Sequence, residues 1–337
     1  MTTRRENALR ILRFDKPDYI MAGLPGHWMA YLGCNHEGYD GIGDNNVPVN
    51  ASWTDIWGIG WEKKQAGIMG YPVWHPLAEV ESLTSYRWPS PDDERICGPI
   101  YTAAETRSDM DTFLTGSHRN LLLEKAEKLV GMENLLTYMY TEPNFVKELF
   151  RRYMDFQIGI AKHYIRLGVE AVHFSEDLGT QHSLIVGPEI MEEFLLPEYE
   201  RLLHLYRENG VILSLHSCGN VERIVPLLMT LGIDVLNPVQ ATANDLDSIR
   251  AMTRGKMALH GGVRSDIVLN GPVERIVEET KRRMMQLGRA GGYFCSVDQH
   301  LDFPSAHVDA MERTVREFGH YNADGELSMQ GIEGARE

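Results

Sequence analysis

VILSLHSCGN, Val211 to Asn220, reads as a strand that runs into a turn. Its first residues are aliphatic on both faces, as in a parallel strand covered on both sides. Ile212, Ser214 and His216 share one face by the two-residue period, and Cys218 joins them if the chain stays extended. Two residues of metal-ligating type then point the same way. Gly219 supplies a turn that tolerates close backbone approach, and Asn220 suits the N-cap of an amphipathic run through Val221, Ile224, Val225 and Leu228. In parallel α/β folds, sites are built where a strand hands over to a helix in this way.

Either side of this stretch, strands and helices alternate. Extended segments are predicted at Tyr19–Leu24, Thr112–Gly116, Ala171–Ser175, Asp234–Val239, Met257–His260 and Gly292–Val297. Helices are predicted over residues 4–13, 119–130, 142–167 (Thr141 at the cap, Pro143 in the first turn), 188–207, 221–231, 246–252, 272–287 and 304–318. Such alternation with short turns means a parallel sheet with helical crossovers. Polar residues cluster at nearly every strand's C-terminal end, at Ser175-Glu176-Asp177, His216, Gln240, His260 and Cys295–Asp298. That distribution favours a (β/α)8 TIM barrel, because an open sheet concentrates such residues at one switch point. The reading is one domain over residues 1–337, interrupted by an irregular N-terminal excursion of about residues 25–99 that is rich in Gly, Pro, Trp and His. Its Trp53, Trp57 and Trp61 are expected to form a packing cluster. The tail after Asn322 is expected to fray.

Composition narrows the function. Hydrophobic residues at 43% and charged residues at 24% suit a globular protein with a sizeable core. A net charge of −15 repels phosphate backbones and anionic lipid, so neither nucleic acid nor membrane is an expected partner. No GxGxxG or GxxxxGK fingerprint follows a strand. Four cysteines without disulfide-scaffold spacing, no signal-peptide-like start and no membrane-length apolar run lead to the expectation of a cytoplasmic protein.

Catalytic zinc takes three protein ligands from His, Cys, Asp or Glu and keeps one position open. His216 and Cys218 end one strand, and Cys295 in GGYFCSVDQH is placed to reach the same barrel face from another. The plainer alternative makes Cys218 and Cys295 small buried hydrophobes and His216 a satisfied core histidine. Cys34-Asn35-His36 is a rival pair with no third ligand implied, and Cys97 is weaker still. Glu176 is a candidate fourth ligand or supporting group; its alternative is to cap the following turn or pair with a lysine or arginine. Asp177, Gln181, His260 and His300 are candidates to orient substrate. His27 and Trp28 are candidates to line a pocket for an aromatic ring, or else ordinary loop packing.

The chain resembles the uroporphyrinogen decarboxylase superfamily in RENALRIL near the start, DIWGIGW, DLGTQ followed by GPEIMEEFLLP, HSCGN and the late GGYF. HSCGN with a late cysteine resembles the zinc methyltransferase branch, whose members work with corrinoid proteins. The resemblance implies a (β/α)8 barrel, zinc held by His216, Cys218 and Cys295, a corrinoid protein as partner and a small-molecule methyl donor; a homodimer is allowed for. Decarboxylases of the superfamily carry an arginine-bearing RQAGR-type motif near the first strand. Here LPGHWMAY stands there, and Arg10 and Arg13 are the only arginines between Arg5 and Arg87. The expected activity is therefore methyl transfer from a methoxylated aromatic to cob(I)alamin, because the Trp-, Tyr- and His-rich, Arg-poor excursion suits a flat, weakly charged substrate. Methylcobalamin:thiol or folate methyl transfer comes next. Uroporphyrinogen decarboxylation, a zinc hydrolase and a metal-free binding barrel rank behind these.

Overall fold

A computed structural model describes residues 2–34, 47–66, 70–299 and 301–327. The chain opens with helix α1, Arg4–Arg13, started by a reciprocal capping box between Thr3 and Glu6. The strands that follow are β1 (Gly26–Met29), β2 (Ser52–Thr54), β3 (Gly60–Glu62), β4 (Tyr71–Trp74), β5 (Phe113–Arg119), β6 (Ala171–Ser175), β7 (Ile212–His216), β8 (Val235–Asn237), β9 (Ala258–Val263) and β10 (Tyr293–Val297). Seven of them form one parallel sheet in the order β1-β5-β6-β7-β8-β9-β10, with helices as crossovers.

The two faces of this sheet bury different things. Met21, Phe113, Ala171, Ile212, Val235, Ala258 and Phe294 gather with Ala8 and Ile11 of α1 into an inner cluster, so α1 closes the end where the strands begin. The alternate residues Leu213, Leu215, Leu236, Leu259 and Tyr293 belong to the larger core. Since successive side chains point to opposite faces, the inner face carries His173, Ser214 and His216, Asn237, His260 and Ser296 in the next positions along the strands.

The seam between the sheet's outer strands differs from expectation. Tyr19–Leu24 is not a ladder strand: Met21 makes one parallel bridge to Phe294, and Cys295 N–H donates to Met21 O at 2.8 Å. The strand beside β5 is instead Gly26–Met29, inside the stretch expected to be irregular. Pro25 separates the two segments and has no N–H to give a ladder.

The excursion has its own antiparallel sheet, β2-β3-β4. Its turn is tied by Asp55, which accepts from Trp57 N–H (2.8 Å), Ile59 N–H (3.0 Å) and Trp61 Nε1–H (3.0 Å). Trp57 packs on Tyr153 and Phe156, and Trp53 stacks on Trp61, so the three tryptophans are packing residues. Helix α2, Glu94–Glu105, follows and was hidden in the sequence by Pro99 inside it. Helices α3 (Leu123–Val130), α4 (Met132–Thr141) and α5 (Pro143–Arg166) come next. Thr141 ends α4 rather than capping α5, where Glu142 occupies the N-cap. Asn220 does not cap a helix either; its side chain donates to Ala243 O at 2.6 Å. Residues 322–327 form a turn closed by a Tyr321–Leu327 bridge, and the rest of the tail expected to fray, residues 328–337, lies outside the described residues. Among the described residues no helix is long and apolar enough to cross a membrane.

Candidate metal centre

At the carboxyl ends of β6 and β7, Asp177, His216 and Cys218 bring one ligand atom each within 4.8 Å of one another. His216 comes off the inner face of β7. Its Nδ1 lies 2.8 Å from Asn237 Oδ1 on β8, an atom that can only accept, so Nδ1 carries the proton and Nε2 keeps its lone pair. That Nε2 lies 3.2 Å from Cys218 Sγ and 3.6 Å from Asp177 Oδ1. The turn after β7 is held against the turn after β6: Cys218 N–H donates to Asp177 Oδ1 (2.8 Å) and Asn220 N–H to Thr180 O (2.7 Å). Only glycine fits at the crossing. Gly219 has φ +80°, and a Cβ there would meet the Gly179 carbonyl at 2.3 Å. Gly219 N–H is further fixed by Gln240 Oε1 at 2.9 Å.

Burial and then the adjacent Asp177 charge push the Cys218 thiol up to about 12, opposed by a hydrogen bond from Gln299. A thiol beside a carboxylate loses its proton readily only when a cation arrives to balance both. The donor set is one nitrogen, one sulfur and one oxygen, each partly open to solvent, which fits a zinc ion that retains an exchangeable position.

An aromatic layer leads from the rim to this cluster. Trp28, on the β1 end, is 52% exposed and meets His173 edge-on with centroids 5.7 Å apart. His173 in turn lies 6.3 Å from His216, with its Nδ1 3.0 Å from Ser214 Oγ. Burial, reinforced by His216, His260 and Arg119, lowers His173 to about 3, so the ring is neutral. His173 and Asn237 were missed in the sequence, although His173 stands in line with Ser175 and Asp177 by the two-residue period.

Several expected site residues lie elsewhere. Glu176 faces outward and caps α3: its carboxylate accepts from Leu122 N–H (2.9 Å), Leu123 N–H (2.5 Å) and Tyr199 O–H (2.7 Å). Asp177, one residue on, takes the place at the cluster that Glu176 was expected to fill. Cys295 is likewise not brought to His216 and Cys218. It alternates with the inner-face residues Phe294 and Ser296, is fully buried in the larger core beside Tyr293, and has a thiol pushed up to about 12 by that burial. His260 stays on the inner face with His173 and His216, its ring centroid 5.9 Å from that of Phe294, and burial lowers it to about 4. His27 Nε2 turns to Ala103 O of α2 at 2.7 Å. Gln181 ties the loop after β6 to Thr242 O at 2.7 Å. His300 lies outside the described residues, as do Asn35 and His36; Cys34 is buried with its thiol 3.4 Å from Ser117 O, and Cys97 is buried on α2.

Fold and site together define an α/β protein with its functional groups at the carboxyl edge of a curled parallel sheet. Within that class, the chain belongs to the uroporphyrinogen decarboxylase (URO-D) family, which residues 124–318 match. The structure is similar to that of a methyltransferase from Methanosarcina mazei, with a TM-score of 0.70 and 14% identity over 94% of this chain and 99% of that one, a likeness of fold. A weaker match, to a B12-independent methionine synthase from Shewanella sp. W3-18-1, has a TM-score of 0.39 and 10% identity over 64% of this chain and 65% of that one. No curated protein matches the chain.

Proposed function

We propose that this protein is a zinc-dependent methyltransferase that works with a corrinoid protein and takes the methyl group of a methoxylated aromatic. The observation that carries the reading is the Asp177–His216–Cys218 cluster at the open carboxyl edge of the sheet. The whole-length fold likeness to a methyltransferase and the resemblance of HSCGN to the zinc methyltransferase branch support it. On this reading the curled sheet, with Tyr19–Ala22 as its eighth member, is the (β/α)8 barrel of the superfamily.

Zinc, when bound, supplies a Lewis acid that stabilises negative charge developing on a departing oxygen. The chain's own residues prepare the rest. Asn237 fixes the His216 tautomer, and Asp177 and Cys218 give the site its anionic balance. Trp28 and neutral His173 offer flat walls for an aromatic ring within reach of the cluster. Transfer would break the methyl–oxygen bond, the methyl group going to a reduced corrinoid supplied by the partner and the aromatic leaving as its phenolate.

The test is incubation of the protein with cob(I)alamin and a methoxyphenol, following methylcobalamin by absorbance. Formation of methylcobalamin that depends on zinc is expected. Consumption of methylcobalamin in the presence of a thiol, with no demethylation of any methoxy compound, would reverse the direction of transfer and overturn the ether reading.

A further inference from the structure

Gln299 reaches the cluster from a third direction. Its Nε2 lies 3.1 Å from Cys218 Sγ, and a carboxamide nitrogen can only donate. The backbone behind this side chain is firmly held. Gln299 N–H donates to Ser265 Oγ at 2.7 Å, and the same hydroxyl lies 2.8 Å from Gln299 O and 2.7 Å from Asp298 Oδ1. Asp298 Oδ1 also accepts from Ser265 N–H (3.0 Å), its Oδ2 accepts from Ala241 N–H (3.1 Å), and its own N–H donates to Val263 O (2.9 Å). Three loops, those after β8, β9 and β10, are therefore tied to one buried carboxylate, and the product of that tie is a single N–H aimed at the sulfur.

We propose that Gln299 is a positioning residue for the Cys218 thiolate, with Asp298 and Ser265 as its anchor. The assignment rests on the metal reading above and deepens it. A thiolate that accepts a hydrogen bond gives less electron density to a bound cation and is less nucleophilic itself. The sulfur is then kept as a ligand and protected from becoming a methyl acceptor in a site that handles methyl groups.

The experiment uses the full-length protein stripped of metal and titrated with Co2+ and with Zn2+. In the Co2+ form, Gln299→Leu is expected to move the thiolate-to-cobalt charge-transfer band to lower energy. Loss of the N–H that holds the sulfur in place outweighs the sulfur's gain in donor strength, so in competition with a chromophoric chelator zinc affinity should fall by about 10-fold or more, the range typical of lost outer-shell partners. Alkylation of Cys218 by iodoacetamide in the zinc form should become several-fold faster. Ser265→Ala, which keeps the carboxamide but loosens its anchor, should give an intermediate band position. A band, an affinity and an alkylation rate all unchanged in Gln299→Leu, in a wild-type protein that does show the thiolate band, overturn this proposal and leave the metal reading intact. Failure of the wild type to take up either metal overturns both.

Discussion

Replacing Glu176 separates a structural carboxylate from a chemical one. Its two oxygens serve three donors in a fully buried position: the first free N–H groups of α3 at Leu122 and Leu123, and the Tyr199 hydroxyl. Glu176→Ala leaves all three without an acceptor. Each orphaned buried donor costs about 1–3 kcal/mol, so with partial relaxation the loss is roughly 3–6 kcal/mol. At about 2–4 °C per kcal/mol for a chain of this order of size, the melting temperature should fall by about 10 °C. Glu176→Gln keeps the oxygen that faces Leu123 and Tyr199 but turns an NH2 toward Leu122 N–H, which loses one bond and costs about 1–3 kcal/mol. Thermal and urea unfolding measure the loss, and zinc content measured on the same samples below the transition should remain at the wild-type ratio. A variant with unchanged melting temperature but abolished turnover would show that the carboxylate acts in the chemistry and that the capping argument is wrong.

Elemental analysis of Asp177→Ala, His216→Ala and Cys218→Ala should show zinc lost or strongly reduced, whereas Cys295→Ala keeps it; zinc lost from Cys295→Ala would return that thiol to the site. Asn237→Ala frees the His216 ring to change tautomer and should weaken zinc binding by about 10–100-fold in chelator competition, with little change in melting temperature. His118 is buried neutral between Gln157 and Tyr206, and burial lowers it to about 4. The unfolded chain takes up this proton first as pH falls, so the contribution is complete above about pH 6.5 and is lost towards pH 4, a loss of about 3 kcal/mol. Urea unfolding across that window should show a slope smaller by about one proton in His118→Phe; an unchanged slope would mean that the ring titrates normally.

How much of this was legible in the sequence depends on whether a strand marks its own inner face. In β7 it does: Ser214 and His216 are polar at alternate positions, and Leu213 and Leu215 are apolar between them, so His216 and Cys218 could be placed together from spacing alone. In β10, Tyr293, Phe294 and Cys295 are all fully buried, because one face meets the inner cluster and the other the helices. Nothing local then tells the parity of Cys295, and its chemical type suggested the wrong face. The broken first strand and the Asn237 and Gln299 contacts arise from pairing between distant segments, which spacing within one segment cannot reveal.

Glu176 and Asp177 show what such a slip of parity does. In AVHFSEDLG, His173 is the one ionisable residue within the strand, and its parity extends through Ser175 to Asp177, not to Glu176. Two acidic neighbours with equal claims by composition therefore separate by one peptide unit, one onto the helix N-terminus and one onto the ligand cluster. Their substitutions should separate in the same way. Removing the Glu176 carboxylate lowers the unfolding temperature and spares metal, whereas Asp177→Asn keeps an oxygen for Cys218 N–H, spares the unfolding temperature of the metal-free protein and weakens metal binding. Calorimetry of both variants with and without Zn2+ reads the two effects on one scale. An identical zinc-dependent rise in melting temperature for Asp177→Asn and wild type would show that the carboxylate charge takes no part in holding the ion, leaving His216 and Cys218 to bind it alone.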